Sequence, residues 1–169
     1  MTRRLFPWSG RADGAAFRFP GSADVYQRRL AQFTDARVLA RASLWAALSD
    51  KARGEAFNCV SPPFRWNRIW QKVAARFSLE TGTPVPFSLA THMPALAPVW
   101  QRISSGLLQP DYARAVNWQF GDFVFGADFD VISDITKIQL AGFTETCDPA
   151  KALIAAIETQ IAAGVIPPL

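Results

Sequence analysis

The chain has 169 residues and a net charge of +4; 50% of its residues are hydrophobic, 12% aromatic and 19% charged. That balance excludes intrinsic disorder, which needs low hydrophobicity and high net charge. The excess of 18 Lys and Arg over 14 Asp and Glu is too small to mark a nucleic-acid binder, and the single histidine, His92, argues against a catalytic histidine cluster or a zinc site.

Two cysteines, Cys59 and Cys147, fit a reducing compartment as small buried hydrophobes rather than reactive thiols. No run approaches the roughly 18 uninterrupted apolar residues of a membrane helix. Arg3, Arg4 and Arg11 are followed by no apolar stretch, so the start does not read as a secretory signal. The expectation is a soluble, cytoplasmic protein of one domain, or a fragment of something larger.

Residues 1–33 are punctuated by Pro7, Gly10, Gly14, Pro20 and Gly21 and read as loop. Residues 1–16 stay unassigned and are expected to be flexible. Thr34 and Asp35 open a helix carrying Val38, Leu39, Ala42, Trp45 and Ala46 at helical spacing, closed by 50–54. Residues 55–60 predict a strand ending at Ser61-Pro62-Pro63. A second helix is expected over 64–77, with Trp66, Trp70, Val73 and Phe77 on one face and Arg65, Arg68, Lys72 and Arg76 mostly on the others. An amphipathic helix with a basic solvent face explains that mixture more simply than base stacking on nucleic acid.

Residues 83–89 could form an edge strand, because Pro84 and Pro86 cannot donate to a ladder. Further helices are expected over 94–107, from Pro110-Asp111 to Phe125, over 130–140 and over 148–163. In the last, Asp148-Pro149 supplies a cap and first-turn proline, Leu153, Ile154, Ile157 and Ile161 the buried stripe, and Gly164 the stop. Six helices against two or three short strands make a helix-rich α/β piece.

Several chemistries are absent from the pattern. Gly10 to Gly14 lacks the spacing of a dinucleotide-binding turn, and no strand precedes it. Neither tyrosine has a lysine four residues on, and no G-x-S-x-G occurs. His92 reads as a loop or capping residue. Asp128, Asp130 and Asp134 lack the glycine turn of a calcium loop and read as helix caps. The richest segment is Trp118-Gln-Phe120-Gly-Asp-Phe123-Val-Phe125. By composition it is either an ordinary core face or the wall of an apolar ligand pocket.

A series of short motifs follows in order: Phe19-Pro20-Gly21, the run from Thr34 to Trp45, Glu55-Ala-Phe-Asn58, Phe64-Arg-Trp66 with Trp70, Ser88-Leu89, Pro98-Val-Trp100, Trp118-Gln-Phe120-Gly-Asp122, Asp134-x-x-Lys137 with Gly142-Phe143, and Val165-Ile-Pro167. Over residues 17–169 this series resembles the C-terminal half of the progesterone 5β-reductase/iridoid synthase-like enzymes, atypical extended short-chain dehydrogenases/reductases. The resemblance implies an NADPH-dependent reductase of enones or related carbonyl compounds, whose C-terminal part forms an apolar substrate pocket. It marks Phe120 and Phe123, flanked by Trp118 and Phe125, as pocket residues.

The departures are large. The Rossmann half, its glycine motif and its catalytic Tyr and Lys are not in this sequence, and Ser61-Pro62-Pro63 replaces the usual Asn-Gly-Asp turn. Hence no catalytic, cofactor-binding or metal residue is expected here. A Rossmann-half partner chain or a homo-oligomer is expected instead, with no nucleic acid and no membrane. A non-enzymatic small-ligand or protein-interaction module derived from the family, or a decayed remnant, stays open beside the substrate-binding half.

Overall fold

The computed structural model describes residues 16–108 and 111–167. Gly10 and Gly14, all of the unassigned stretch 1–16 except Ala16, and Pro110 lie outside the described residues. Among the described residues the protein is helix-rich, with one sheet of two strands of two residues each.

Ser22 caps α1 (Ala23–Gln27), its Oγ accepting from the Val25 amide. Strand β1 (Leu30–Ala31) pairs antiparallel with β2 (Phe64–Arg65), Leu30 opposite Arg65 and Ala31 opposite Phe64. Between them lies α2 (Ala36–Leu48), begun by Asp35, whose carboxylate accepts from the Arg37 and Val38 amides. The helix ends at Leu48, ahead of the 50–54 stretch expected to close it; a short 3-10 turn, Asp50–Ala52, follows, and Gly54 takes a left-handed φ of 74°. Val38 and Ala42 face inward as the spacing required, but Leu39 and Ala46 stay exposed.

Residues 55–60 form no strand, in contrast to the expectation. Their polar groups go elsewhere: Asn58 Nδ2 donates to the Asp134 carbonyl, the Cys59 carbonyl accepts from Thr34 Oγ1, and the Ala56 carbonyl accepts from Lys137 Nζ. Pro62 and Pro63 have no N–H to extend a ladder, so pairing begins only at Phe64. Strand β2 then runs straight into α3 (Trp66–Arg76), which buries Trp66, Ile69, Val73 and Ala74.

Residues 83–89 are not a ladder strand either. Val85 and Phe87 donate to the carbonyls of Phe19 and Pro20, while Pro20, Pro84 and Pro86 have no N–H to return. After α4 (Leu89–His92), the expected helix over 94–107 is two pieces, a 3-10 turn (Met93–Leu96) and α5 (Ala97–Ile103). The expected helix ending at Phe125 is two, α6 (Tyr112–Ala115) and α7 (Trp118–Gly126). Val116 is extended at φ −144° and Asn117 caps α7, which breaks the run.

The helix expected from Asp130 starts only at Thr136, as α8 (Thr136–Ala141). The reason is tertiary. Asp130 accepts from the Leu30 amide at 2.8 Å and the Val131 amide donates back to the Leu30 carbonyl at 2.9 Å, pinning this stretch to β1. Asp130 is therefore a tether rather than a helix cap, whereas Asp134 does accept from the Thr136 amide at the start of α8. Last comes α9 (Pro149–Ala162), capped by Asp148 and ended before Gly164, which has a left-handed φ of 67°.

Two clusters hold these elements. The larger joins Phe19, Val25, Tyr26, Phe64, Trp66, Ile69, Val73 and Ala150, with Phe125, Leu153, Ile154 and Ile157 against it. The smaller joins Val38, Ala42, Ile138 and Phe143, with Trp45, Cys59 and Cys147 alongside. Burial pushes both thiols up, away from the reactive thiolate. No helix among the described residues is long and apolar enough to cross a membrane.

Gly21 sits where a Cβ would meet the Phe125 carbonyl oxygen at 2.1 Å and Phe19 Cε1 at 2.6 Å. Gly21→Ala should therefore lower stability by about 1–3 kcal/mol. An unchanged denaturation midpoint in urea would contradict this packing. The Arg37 guanidinium holds the Asp35 carboxyl down most, burial opposes it and two backbone amides assist, to a value of about 2. Because the folded value lies below the ordinary one, this stabilisation is present above about pH 4 and is lost as pH falls toward 2. Asp35→Asn should flatten that segment of the stability-versus-pH curve, as followed by circular dichroism.

Candidate functional site

Helix α7 carries the aromatic run, and its 100° step per residue divides that run between two sides. Trp118, Gly121, Asp122 and Phe125 recur at i, i+3, i+4 and i+7 and turn toward the protein. Phe125 packs in the larger cluster, its ring centroid 5.4 Å from Phe19 and 5.1 Å from Trp66. Trp118 packs on Tyr112 at 5.5 Å, and Tyr112 in turn on Trp100 at 5.6 Å. Phe120 and Phe123, three apart, share the other side; they are 63% and 65% exposed, with ring centroids 6.4 Å apart.

Among the described residues, cavities border this helix on two sides. One, of about 840 Å³, is lined by Ala90, Pro94, Gln101, Tyr112 and Asn117 among others, with Trp118 at its edge. The second, of about 470 Å³, is lined by Val25, Phe87, Leu89 and Phe125, with Ser88 and Asp122 as its polar wall. Their volumes fall in the range of small-ligand sites. The structure thus separates the four residues singled out by sequence: Trp118 lines one cavity, Phe125 the other, and Phe120 and Phe123 line neither.

Asp122 is the electrostatic centre between α7 and α4. Its carboxylate accepts from Ser88 Oγ at 2.8 Å, from the Ala90 amide at 3.1 Å and from the Leu89 amide. Burial pulls this carboxyl up, but the three donors together outweigh it and hold it below the ordinary carboxylate value. An acid placed this way caps α4 from a different helix and fixes the floor of the second cavity. Its role was not visible from composition; the Ser88 and Asp122 motifs marked the positions without showing that they meet.

His92 ends α4, its Nδ1 2.8 Å from the Ser88 carbonyl and its ring edge-on to Phe87 at 5.5 Å. That is a local capping contact, as its sequence setting suggested. Tyr112, missed as a cavity residue because a lone tyrosine in a polar stretch gives no periodic signal, donates its hydroxyl to the Met93 carbonyl at 2.9 Å. Burial pushes its phenol up, so it is a structural donor, not a poised acid.

The described residues do not fit a dinucleotide cofactor. A pyrophosphate site needs a strand leading through a glycine turn into a helix. Here β2 passes into α3 at Arg65-Trp66 with no glycine, and its only partner strand is antiparallel.

No family profile matches the chain. Known relatives do. It is 26% identical over 162 residues to an (S)-8-oxocitronellyl enol synthase of Camptotheca acuminata, covering 92% of this chain and 41% of that protein. It is 32% identical over 120 residues to an enzyme of the same name from Nepeta cataria, covering 68% of this chain and 31% of the relative. It is 26% identical over 161 residues to the 3-oxo-Δ4,5-steroid 5β-reductase of Arabidopsis thaliana, covering 92% of this chain and 41% of that protein. The similar proteins are thus enol synthases and a steroid reductase, and the chain spans less than half the length of each. It belongs to the progesterone 5β-reductase/iridoid synthase-like family.

Asp122→Ala leaves the Ser88 hydroxyl and two α4 amides without their acceptor. The expected cost is about 1.5–3 kcal/mol. Faster hydrogen exchange should be confined to α4 and the residues beside it; exchange unchanged there would mean Asp122 does not hold the two helices together.

Proposed function

We propose that residues 17–169 form the C-terminal, substrate-binding portion of an enone or carbonyl reductase of this family, working with the cofactor-binding portion of the family fold. The observation that carries this reading is the pair of phenylalanine rings on one side of α7. They are large, adjacent and about two-thirds exposed, in a chain that spans 41% or less of its relatives. Solvent-facing phenylalanines side by side are poorly placed as core but well placed as one wall of a pocket whose opposite wall lies on another segment.

The roles divide by side of the helix. Phe120 and Phe123 supply apolar contact to the substrate. Trp118 and Phe125 back them, and Asp122 holds the helix in place through α4. The substrate class is small, apolar and oxo-bearing, in line with the 8-oxocitronellyl enol and 3-oxo steroid in the relatives' names. Hydride transfer requires a bound nicotinamide cofactor and a placed proton donor. NADPH therefore belongs to the cofactor-binding portion of the fold, and residues 17–169 do not catalyse by themselves.

A titration with a 3-oxo-Δ4 steroid, followed by tryptophan fluorescence, tests the pocket. Phe120→Ala and Phe123→Ala should each weaken binding by roughly tenfold, or about 1.4 kcal/mol. Both should leave the thermal midpoint nearly unchanged, because the removed rings are mostly in solvent. Affinity untouched by both changes would take this helix out of the site. Saturable micromolar binding of NADPH to the chain by itself would overturn the division of labour.

A further inference from the structure

A small hollow lies between α3 and the start of α9. It shares no lining residue with the cavities beside α7. Its volume is about 160 Å³, and Arg65, Arg68, Lys72, Asp148 and Pro149 line it beside Ile69. That is below the roughly 300–1,000 Å³ of a drug-sized ligand site. At roughly 30 Å³ per water it holds the equivalent of about five waters. This is the size of one hydrated tetrahedral oxyanion, not of a nucleotide.

The charges around the hollow oppose one another. Arg65 is the N-cap of α3 and Arg68 lies in its first turn, which holds no acidic residue. Both cations therefore sit at the positive pole of an 11-residue helix, where negative charge is favoured. The 14-residue helix α9 brings a second positive pole to the same place. Arg65, Arg68 and Lys72 also follow at spacings of three and four residues, at which like charges repel.

Lys72 has a carboxylate to answer it, Asp148 Oδ2 at 3.6 Å. Arg65 Nε reaches only the Arg28 carbonyl, at 3.4 Å, and Arg68 reaches no acceptor or carboxylate among the described residues. The other Asp148 oxygen, Oδ1, is taken by the Ala150 and Lys151 amides. Such departures from local charge preference are expected where a sequence serves a ligand rather than its own stability.

We propose that this hollow binds a phosphate group, either as the free ion or as the terminal phosphate of a small monoester. Three cations against one carboxylate leave two positive charges in the lining. They match the roughly −1.5 to −2 of a phosphate monoester at neutral pH. The Arg65 and Arg68 guanidiniums hold the anion, because their planar forks fit phosphate oxygens two at a time. Lys72 adds a point charge. The site is independent of the reading of Phe120 and Phe123, which lie on α7.

Isothermal titration calorimetry on the full chain tests it, with inorganic phosphate and glycerol 3-phosphate as probes and ionic strength held constant with sodium chloride. The expected result is saturable binding of one phosphate per chain, with a dissociation constant of about 1 mM or lower. Tighter binding of the ester assigns the site to a monoester; equal binding assigns it to the free ion. Arg65→Gln and Arg68→Gln should each weaken binding by roughly tenfold or more. Both side chains are exposed, so neither change should lower the thermal midpoint measured without phosphate. Arg102→Gln, which removes an exposed arginine of α5 outside the hollow, should leave the affinity as it was. No saturable binding, affinity that survives either Arg65→Gln or Arg68→Gln, or an equal loss with Arg102→Gln would overturn the site.

Discussion

Phe19 has no exposed surface, and four rings close around it: Tyr26, Trp66, Trp70 and Phe125, with centroids 5.2 to 5.9 Å away. Two of these contacts, to Trp70 and Phe125, are near-perpendicular at 86° and 83°. That is the arrangement in which ring edge meets ring face favourably. The four partners come from α1, α3 and α7, so a single side chain sets the distance between elements that are far apart in sequence. Gly21, two residues on, lets the Phe125 carbonyl come close enough for this to happen. Everything proposed for α7 depends on Phe125 being held there.

Once Phe125 is anchored, the helical period decides the rest of that helix. Trp118, Gly121 and Asp122 must lie on the anchored side, and Phe120 and Phe123 must project away. Asp122 adds a second constraint by capping α4. The Trp-x-Phe-x-Asp element is thus a set of different tasks within one and a half turns: a packed ring, an exposed ring and a tether. A single label of pocket wall for all four aromatics misses this division. Exposure separates Phe120 and Phe123 from Trp118 and Phe125.

The local signals were reliable where one residue completes the physics. Asp35 and Asp148 begin their helices by accepting amide hydrogens that have no partner inside the first turn. Gly164 ends α9 through a backbone angle that a Cβ disfavours. The signals failed where a distant residue competes for the same groups. Residues 130–135 read as the start of a helix, yet Leu30, about 100 positions away, takes the Asp130 carboxylate and the Val131 amide. Residues 55–60 read as a strand, but Thr34, Asp134 and Lys137 claim their polar groups first. Leu39 and Ala46 matched the inward stripe of α2 and still face solvent, because the smaller cluster reaches only one side of the helix.

Taken alone, the sequence determined the helix-rich character, the starts of α2 and α9, the ordered motifs of the reductase family and the aromatic run on α7. These rest on interactions within a turn or two, or on residue identity in order. Only the tertiary structure decided which side of α7 is anchored, that Ser88 and Asp122 meet, and that Asp130 and Val131 pair with Leu30. Those outcomes depend on contacts between residues tens of positions apart. Periodicity says that a helix has two sides; only the packing of the rest of the chain says which of them is covered.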